Sequence, residues 1–166
     1  VSDFENLFQT AIIRADDAQV EDAFGKATAV SGNYMVVGVQ YEDTGGQTTG
    51  SAYVFKKQSD GSLMQIAKIQ ANDAAANDNF GESVTINGDY IVVGAPREDT
   101  TGSDAGSVYL FRRNSDSTDD VTQIAKFQAD DAASGTYFGN SVAMVGDYVV
   151  VGAEQANSSG SAYLFK

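Results

Sequence analysis

The chain has 166 residues and sets 10 Lys and Arg against 23 Asp and Glu, for a net charge of −13; nucleic acid and anionic lipid surfaces are poor partners for such a field. Histidine and cysteine are both absent, which excludes disulfides, thiolate metal sites and the commonest general base. Hydrophobic residues make up 42%, enough for a core, and Val, Ile, Tyr, Phe, Gly, Ser and Thr favour strands and turns, while no stretch has the apolar length of a membrane-spanning helix.

The first element in chain order is a strand, Gln9-Thr10-Ala11-Ile12-Ile13-Arg14-Ala15, inside an opening segment 1–23 that begins Val1-Ser2-Asp3. This start lacks the basic residues and apolar run of a secretory signal, as a mature or trimmed product would. Three related units follow, at 24–79, 80–137 and 138–166. Each opens on Phe-Gly (Phe24-Gly25, Phe80-Gly81, Phe138-Gly139), at spacings of 56 and 58 residues. In the middle unit the pattern predicts a first strand over 81–86 and a hairpin turn at Asn87-Gly88-Asp89. A second strand over 90–95, a polar loop and a third strand over 107–111 come next, and a fourth strand covers 123–129. The second and third strands are continuous apolar runs, as expected where both sheet faces are covered. The fourth alternates and carries Lys68 or Lys126, as an outer strand does. Lys56-Lys57 and Arg112-Arg113 read as solvated strand ends. The last unit stops at Phe165-Lys166, after its third strand, while Gln9 to Ala15 aligns with the fourth strands at 65–71 and 123–129.

A period of this size means propeller blades, a solenoid or a repeat array. Four aromatic positions recur in all three units, at Phe24/Phe80/Phe138, Tyr34/Tyr90/Tyr148, Tyr53/Tyr109/Tyr163 and Phe55/Phe111/Phe165. Recurring aromatics argue that each unit packs the same face on its neighbour. Length differences fall only in polar loops, which supports the strand assignment. The predicted fold is all-β: a β-propeller of four-stranded antiparallel blades, three blades per chain, with the N-terminal strand completing the last blade.

The Phe-Gly opening, Val92-Val93-Gly94-Ala95-Pro96 and the Gly-Ser-x-Tyr-x-Phe strand resemble the FG-GAP repeat family, the repeats of integrin-alpha-type β-propellers. The pattern Ala71 to Gly81 is closest to bacterial and marine extracellular members. The resemblance implies an extracellular or cell-surface protein and a role in adhesion. Integrin-type repeats often carry an Asp-x-Asp-x-Asp-Gly calcium loop between the first two strands. Here that connection is only Ser31-Gly32-Asn33, Asn87-Gly88-Asp89 or Val145-Gly146-Asp147. Such turns cannot supply six to eight oxygen ligands, so the family's calcium site does not carry over. Propellers typically have four to eight blades, so three pose a problem. Two chains pairing into a six-bladed ring, membership of a longer propeller, and strand-swapped filaments each solve it.

Repeat folds are platforms, and activity resides in their loops. The loops between second and third strands vary most, which makes Tyr41, Glu42, Asp43, Arg97, Glu98, Asp99 and Asp104 the candidate ligand-binding residues. Tyr41 and Tyr137 stand outside the recurring aromatic positions and could stack on a sugar ring or pack within their loops. Asp17, Asp73 and Asp131 recur in register before each unit, as calcium ligands or as caps of loop amides; Ca2+ is the one candidate cofactor. No Ser nucleophile has a His base, and the glycines follow strand turns rather than a phosphate loop. The expectation is a non-catalytic extracellular binding, adhesion or scaffold module, with a carbohydrate-binding lectin and a self-assembling surface or filament subunit as alternatives. The expected partners are an extracellular protein or glycan and a second copy of the chain, with no nucleic acid and no membrane insertion.

Overall fold

The computed structural model describes residues 9–43, 47–115 and 119–166. The first eight residues of the opening segment and positions 44–46 of the first variable loop lie outside the described residues.

The strands alternate with tight turns and build three antiparallel sheets. The first holds β1 (Ala27–Ser31), β2 (Tyr34–Val39), β3 (Ser51–Lys57) and β4 (Leu63–Ile69) in sequential order. The second repeats it with β5 (Ser83–Asn87), β6 (Tyr90–Ala95), β7 (Ser107–Arg113) and β8 (Val121–Phe127). The third has β9 (Phe138–Val145), β10 (Tyr148–Ala153) and β11 (Ser161–Phe165). The first hairpin of each sheet turns on a glycine of positive φ: Gly32 at 58°, Gly88 at 58° and Gly146 at 54°, a conformation glycine adopts without steric cost.

Three strands of the middle unit differ from the expectation, the first spanning Ser83–Asn87 rather than 81–86. The third strand of the middle unit runs on to Arg113, and the fourth spans Val121–Phe127 rather than 123–129. Both shifts come from a ladder that continues through the basic residues, with Arg112 opposite Thr122 and Arg113 opposite Val121. Lys56 and Arg113 are not solvated ends. Arg113 is buried, its guanidinium lies 3.7 Å from the Tyr34 ring centroid, and it pairs with Asp89 and Asp119. Lys56 joins the same Asp119. The carboxylate of a neighbouring loop gathers these cations, a partnership that chain order does not announce.

The core lies between sheets. Val36, Ala52 and Val54 of the first sheet pack against Ile91, Val93, Tyr109 and Phe111 of the second. Val92 and Val108 of the second pack in turn on Phe138, Val149 and Val151 of the third. Within each sheet the Phe of the Phe-Gly pair meets the Tyr-x-Phe of the third strand: Phe80 sits 5.5 Å from Tyr109 and 5.8 Å from Phe111, and Phe138 sits 5.4 Å from Tyr163 and 5.8 Å from Phe165. Edge-to-face pairs of this kind add about 1 kcal/mol each to the burial itself.

Residues 9–15, expected as a fourth strand, form no ladder in the single chain. Ile13 and Ala15 instead pack on the far face of the first sheet, against Val37, Val39, Tyr53 and Phe55. The third sheet therefore stays three-stranded. The two ends of the row are apart: Gly25 of the first sheet and the outward residues Val150 and Leu164 of the third have open space before them.

Candidate functional site

Each second strand ends at an equivalent residue, Val39, Ala95 or Ala153, and the chain turns there. Each Phe-Gly pair is preceded by a residue in the left-handed region: Ala23 at φ 60°, Asn79 at 56° and Tyr137 at 54°. The two turns are stitched together in each of the first two units. The Tyr41 amide donates to Asp22 O at 3.3 Å and the Arg97 amide to Asp78 O at 3.4 Å. Because the sheets stand side by side, equivalent turns of all three meet at one end. They enclose a polar cleft of about 290 Å3. Its lining is the same four repeat positions: Asn79 and Tyr137 before Phe-Gly, Lys26, Glu82 and Asn140 after it, then Gln40, Pro96 and Glu154, then Tyr41, Arg97 and Gln155. The scaffold around these positions repeats; the residues on them do not.

Gln40 is buried, and its Oε1 has no hydrogen-bond partner among the described residues. A buried acceptor left empty costs about 1–3 kcal/mol. Lys26 and Glu82 form an ion pair at 2.7 Å across the first two sheets. The Arg97 guanidinium stands 5.6 Å from the Tyr137 ring centroid and 3.6 Å from Asp104. Tyr41 is 44% exposed. The cleft thus offers carboxamides, one guanidinium, carboxylates and two phenol rings. That set can hydrogen-bond a neutral or zwitterionic polar ligand and stack on a flat face.

The remaining candidates serve the scaffold. Glu42 is buried and accepts from Ser51 Oγ at 2.7 Å, Lys68 Nζ at 2.9 Å and Gln70 Nε2 at 3.1 Å. Glu98 repeats this with Ser107 at 2.7 Å, Lys126 at 2.9 Å and Gln128 at 3.1 Å, and also accepts from the Thr100 hydroxyl. Burial opposes ionisation of Glu98, but Thr100, Ser107 and Lys126 outweigh it and hold the carboxyl below its usual range. Asp43 and Asp99 close their loops by accepting the amides of Thr48 at 2.6 Å and Asp104 at 2.8 Å.

The three recurrent aspartates have occupations of their own. Asp17 accepts from Tyr53 Oη at 2.8 Å and Lys68 Nζ at 2.6 Å. Asp73 accepts from Lys126 Nζ at 2.6 Å. Asp131 lies beside the Tyr163 hydroxyl. Burial raises the Asp17 and Asp73 carboxyls, and their hydrogen bonds, led by those from Lys68 and Lys126, more than reverse it. Loop amides are capped by other residues: Asp22 accepts from Gln19 N at 2.7 Å and Asp78 from Ala75 N at 2.8 Å. Among the described residues no group of three or more Asp or Glu could hold a metal ion.

Of the loop candidates, Tyr41 and Arg97 line this cleft; Gln40, Glu154 and Gln155 come from the same variable loops, and Lys26, Glu82 and Asn140 line it without having been singled out. Their signal was present as divergence at positions abutting the recurring Phe-Gly and Val-Val-Gly. A larger apolar cavity of about 390 Å3 lies between the second and third sheets, lined by Tyr90, Leu110, Phe127 and Phe165 among others. At the matching Tyr34 of the first pair of sheets, Arg113 is stacked on the ring, so that cavity belongs to inter-sheet packing.

A repeated four-strand antiparallel unit of this kind defines an all-β, propeller-like repeat protein. The FG-GAP repeat model matches residues 7–55, 63–111 and 121–165, and the chain belongs to that family. No curated protein matches the chain significantly. Among the described residues no helix is long and apolar enough to cross a membrane.

Proposed function

We propose that the chain is a non-catalytic extracellular binding module that presents its ligand-contacting residues on a β-propeller platform. One observation carries this reading: equivalent positions from all three sheets converge on a single polar cleft, where the three repeats carry different residues. The unfilled acceptor of Gln40 supports a ligand that donates a hydrogen bond into the cleft. Tyr41 and Tyr137 on its walls favour a carbohydrate as one class of ligand, since a sugar offers both hydroxyl donors and an apolar ring face for stacking; an extracellular protein loop is the other.

A glycan array and a panel of immobilised extracellular-matrix proteins are the direct test. Binding is expected to be lost in Gln40→Leu and Arg97→Ala while both variants melt as the parent does. A bound partner whose affinity neither change alters would remove the cleft from the reading. Turnover of a bound glycan by the purified chain would overturn the non-catalytic assignment.

A further inference from the structure

At the two junctions between sheets, the turn before a Phe-Gly pair runs alongside the loop that precedes the neighbouring third strand. At the first junction the amides of Asn77, Asn79 and Phe80 donate to the carbonyls of Gln47, Thr48 and Thr49 at 2.9, 3.2 and 2.9 Å. At the second the amides of Gly135, Tyr137 and Phe138 donate to those of Ser103, Asp104 and Ala105 at 2.7, 3.1 and 3.0 Å. The backbone pattern is the same, but the side chain between these bonds differs. Two residues before Phe138 stands Thr136, whose hydroxyl donates across the junction to Ala105 O at 3.0 Å, shared with Ala133 O of its own turn at 2.9 Å. Two residues before Phe80 stands Asp78, 4% exposed.

A carboxylate has no proton to give. Ionised, Asp78 lacks the donor that Thr136 supplies to the equivalent carbonyl. Protonated, it gains that donor and keeps its other oxygen for the Ala75 amide at 2.8 Å. Its surroundings favour the proton. Burial first, then the charges of Glu98 and Asp99 in the loop after β6 and of Asp73 in its own loop, push its pKa up to about 6 against the pull of the Ala75 amide. The cations of these loops are engaged elsewhere, Arg97 with Asp104 and Lys126 with Asp73 and Glu98. The first sheet's loop meets the turn with Gln47, Thr48 and Thr49, which do not titrate. Its Asp43 is held by the Thr48 amide and its Glu42 by Ser51, Lys68 and Gln70.

The turn belongs to the cleft wall. Asn79 lines the cleft, and so does Arg97, whose amide donates to Asp78 O at 3.4 Å. Asn77 and Asn79 lie in the left-handed region at φ 70° and 56°, a conformation that surrounding contacts must sustain. We infer that Asp78 is a proton-operated latch on the cleft: with its proton it bonds the Thr49 carbonyl and closes the first junction as Thr136 closes the second, and without it the turn bearing Asn79 loosens. As a control on ligand binding this rests on the reading of the cleft given above, whereas the latch itself shows in the free chain, so either can fail alone.

Amide hydrogen exchange of the full chain tests it, followed by NMR at pH 5 and pH 7.5 and expressed as protection over the intrinsic rate. The Asn79 amide is expected to be roughly tenfold better protected at pH 5, which is the factor that follows when a pKa of about 6 in the closed turn meets the ordinary 3.8 in the opened one. The Tyr137 amide at the second junction is expected to show no such change. Asp78→Asn and Asp78→Thr give Thr49 a donor at every pH and should hold the higher protection throughout. Equal protection of Asn79 at the two pH values in the parent would overturn the latch. So would a tenfold change that persists in both variants, or one that appears equally at Tyr137, since either would trace it to other groups.

Discussion

Asp78 shows how one side chain can have a role that its position in the repeat conceals. Its carboxylate accepts the Ala75 amide at 2.8 Å and is buried. Burial pushes its pKa up to about 6 from 3.8; the amide bond opposes this, and the nearby charges of Glu98, Asp99 and Asp73 add to it. The folded chain therefore holds this proton more tightly than the unfolded one. Its favourable contribution is complete below about pH 4 and is lost as pH rises through about 6. Asp78→Asn keeps an acceptor for Ala75 and has no charge to bury. The variant is expected to match the parent below pH 4 and to exceed its stability by about 2 kcal/mol above pH 7. Urea melts at a series of pH values would show this, and a constant difference across the range would contradict it. Asp17, Asp73 and Glu98 have lowered pKa values and give the opposite slope, which is why the difference between variant and parent is the useful quantity.

At the scale of the element, the recurring glycines divide by what faces them. Gly94 lies in β6 with the backbone of the third sheet against it, whereas a Cβ on Gly152 in β10 would meet only the Ser141 and Asn140 side chains. Backbone cannot yield, but those side chains can rotate away. Gly94→Ala is expected to cost about 3 kcal/mol through overpacking. Gly152→Ala should cost under about 1 kcal/mol. Equal losses would mean that the junction between sheets is softer than its contacts imply. The same strands position the cleft, because the turns after Val39, Ala95 and Ala153 are held by sheets that pack through apolar cores.

For the whole molecule, the aspartates recurring at 17, 73 and 131 were read as calcium ligands or as caps of loop amides. The acidic loops have their own cations instead. Lys68 and Lys126 each bridge a loop aspartate to a buried glutamate, and Asp119 gathers Lys56 and Arg113 from adjacent sheets. These networks bind one sheet's loops to the next, which is where a row of similar sheets needs cohesion. The melting temperature is accordingly expected to be the same in EDTA and in millimolar calcium. A marked rise with calcium would show a site formed by the loops despite these ion pairs.

The sequence by itself determined the sheets. The period of Phe-Gly, the Gly-Asn or Gly-Asp turns and the apolar runs of the second and third strands are local signals, so the strands of the three units were legible with shifted ends, as at Arg113, whereas the strand expected over 9–15 forms no ladder. It also determined which loops vary, and so put Tyr41 and Arg97 among the candidates. The tertiary structure alone decided what each loop residue does. Glu42 and Arg97 occupy neighbouring positions in equivalent loops, yet one is buried beneath Lys68 and the other faces the cleft, because a one-residue step changes which side of a turn a side chain leaves. Only packing showed that Gln40, Glu82 and Glu154, far apart in the chain, share one cavity. And only packing placed residues 9–15 at the opposite end from the sheet they match, since strand pairing depends on which faces three twisted sheets leave open, and that is a property of their arrangement rather than of any one repeat.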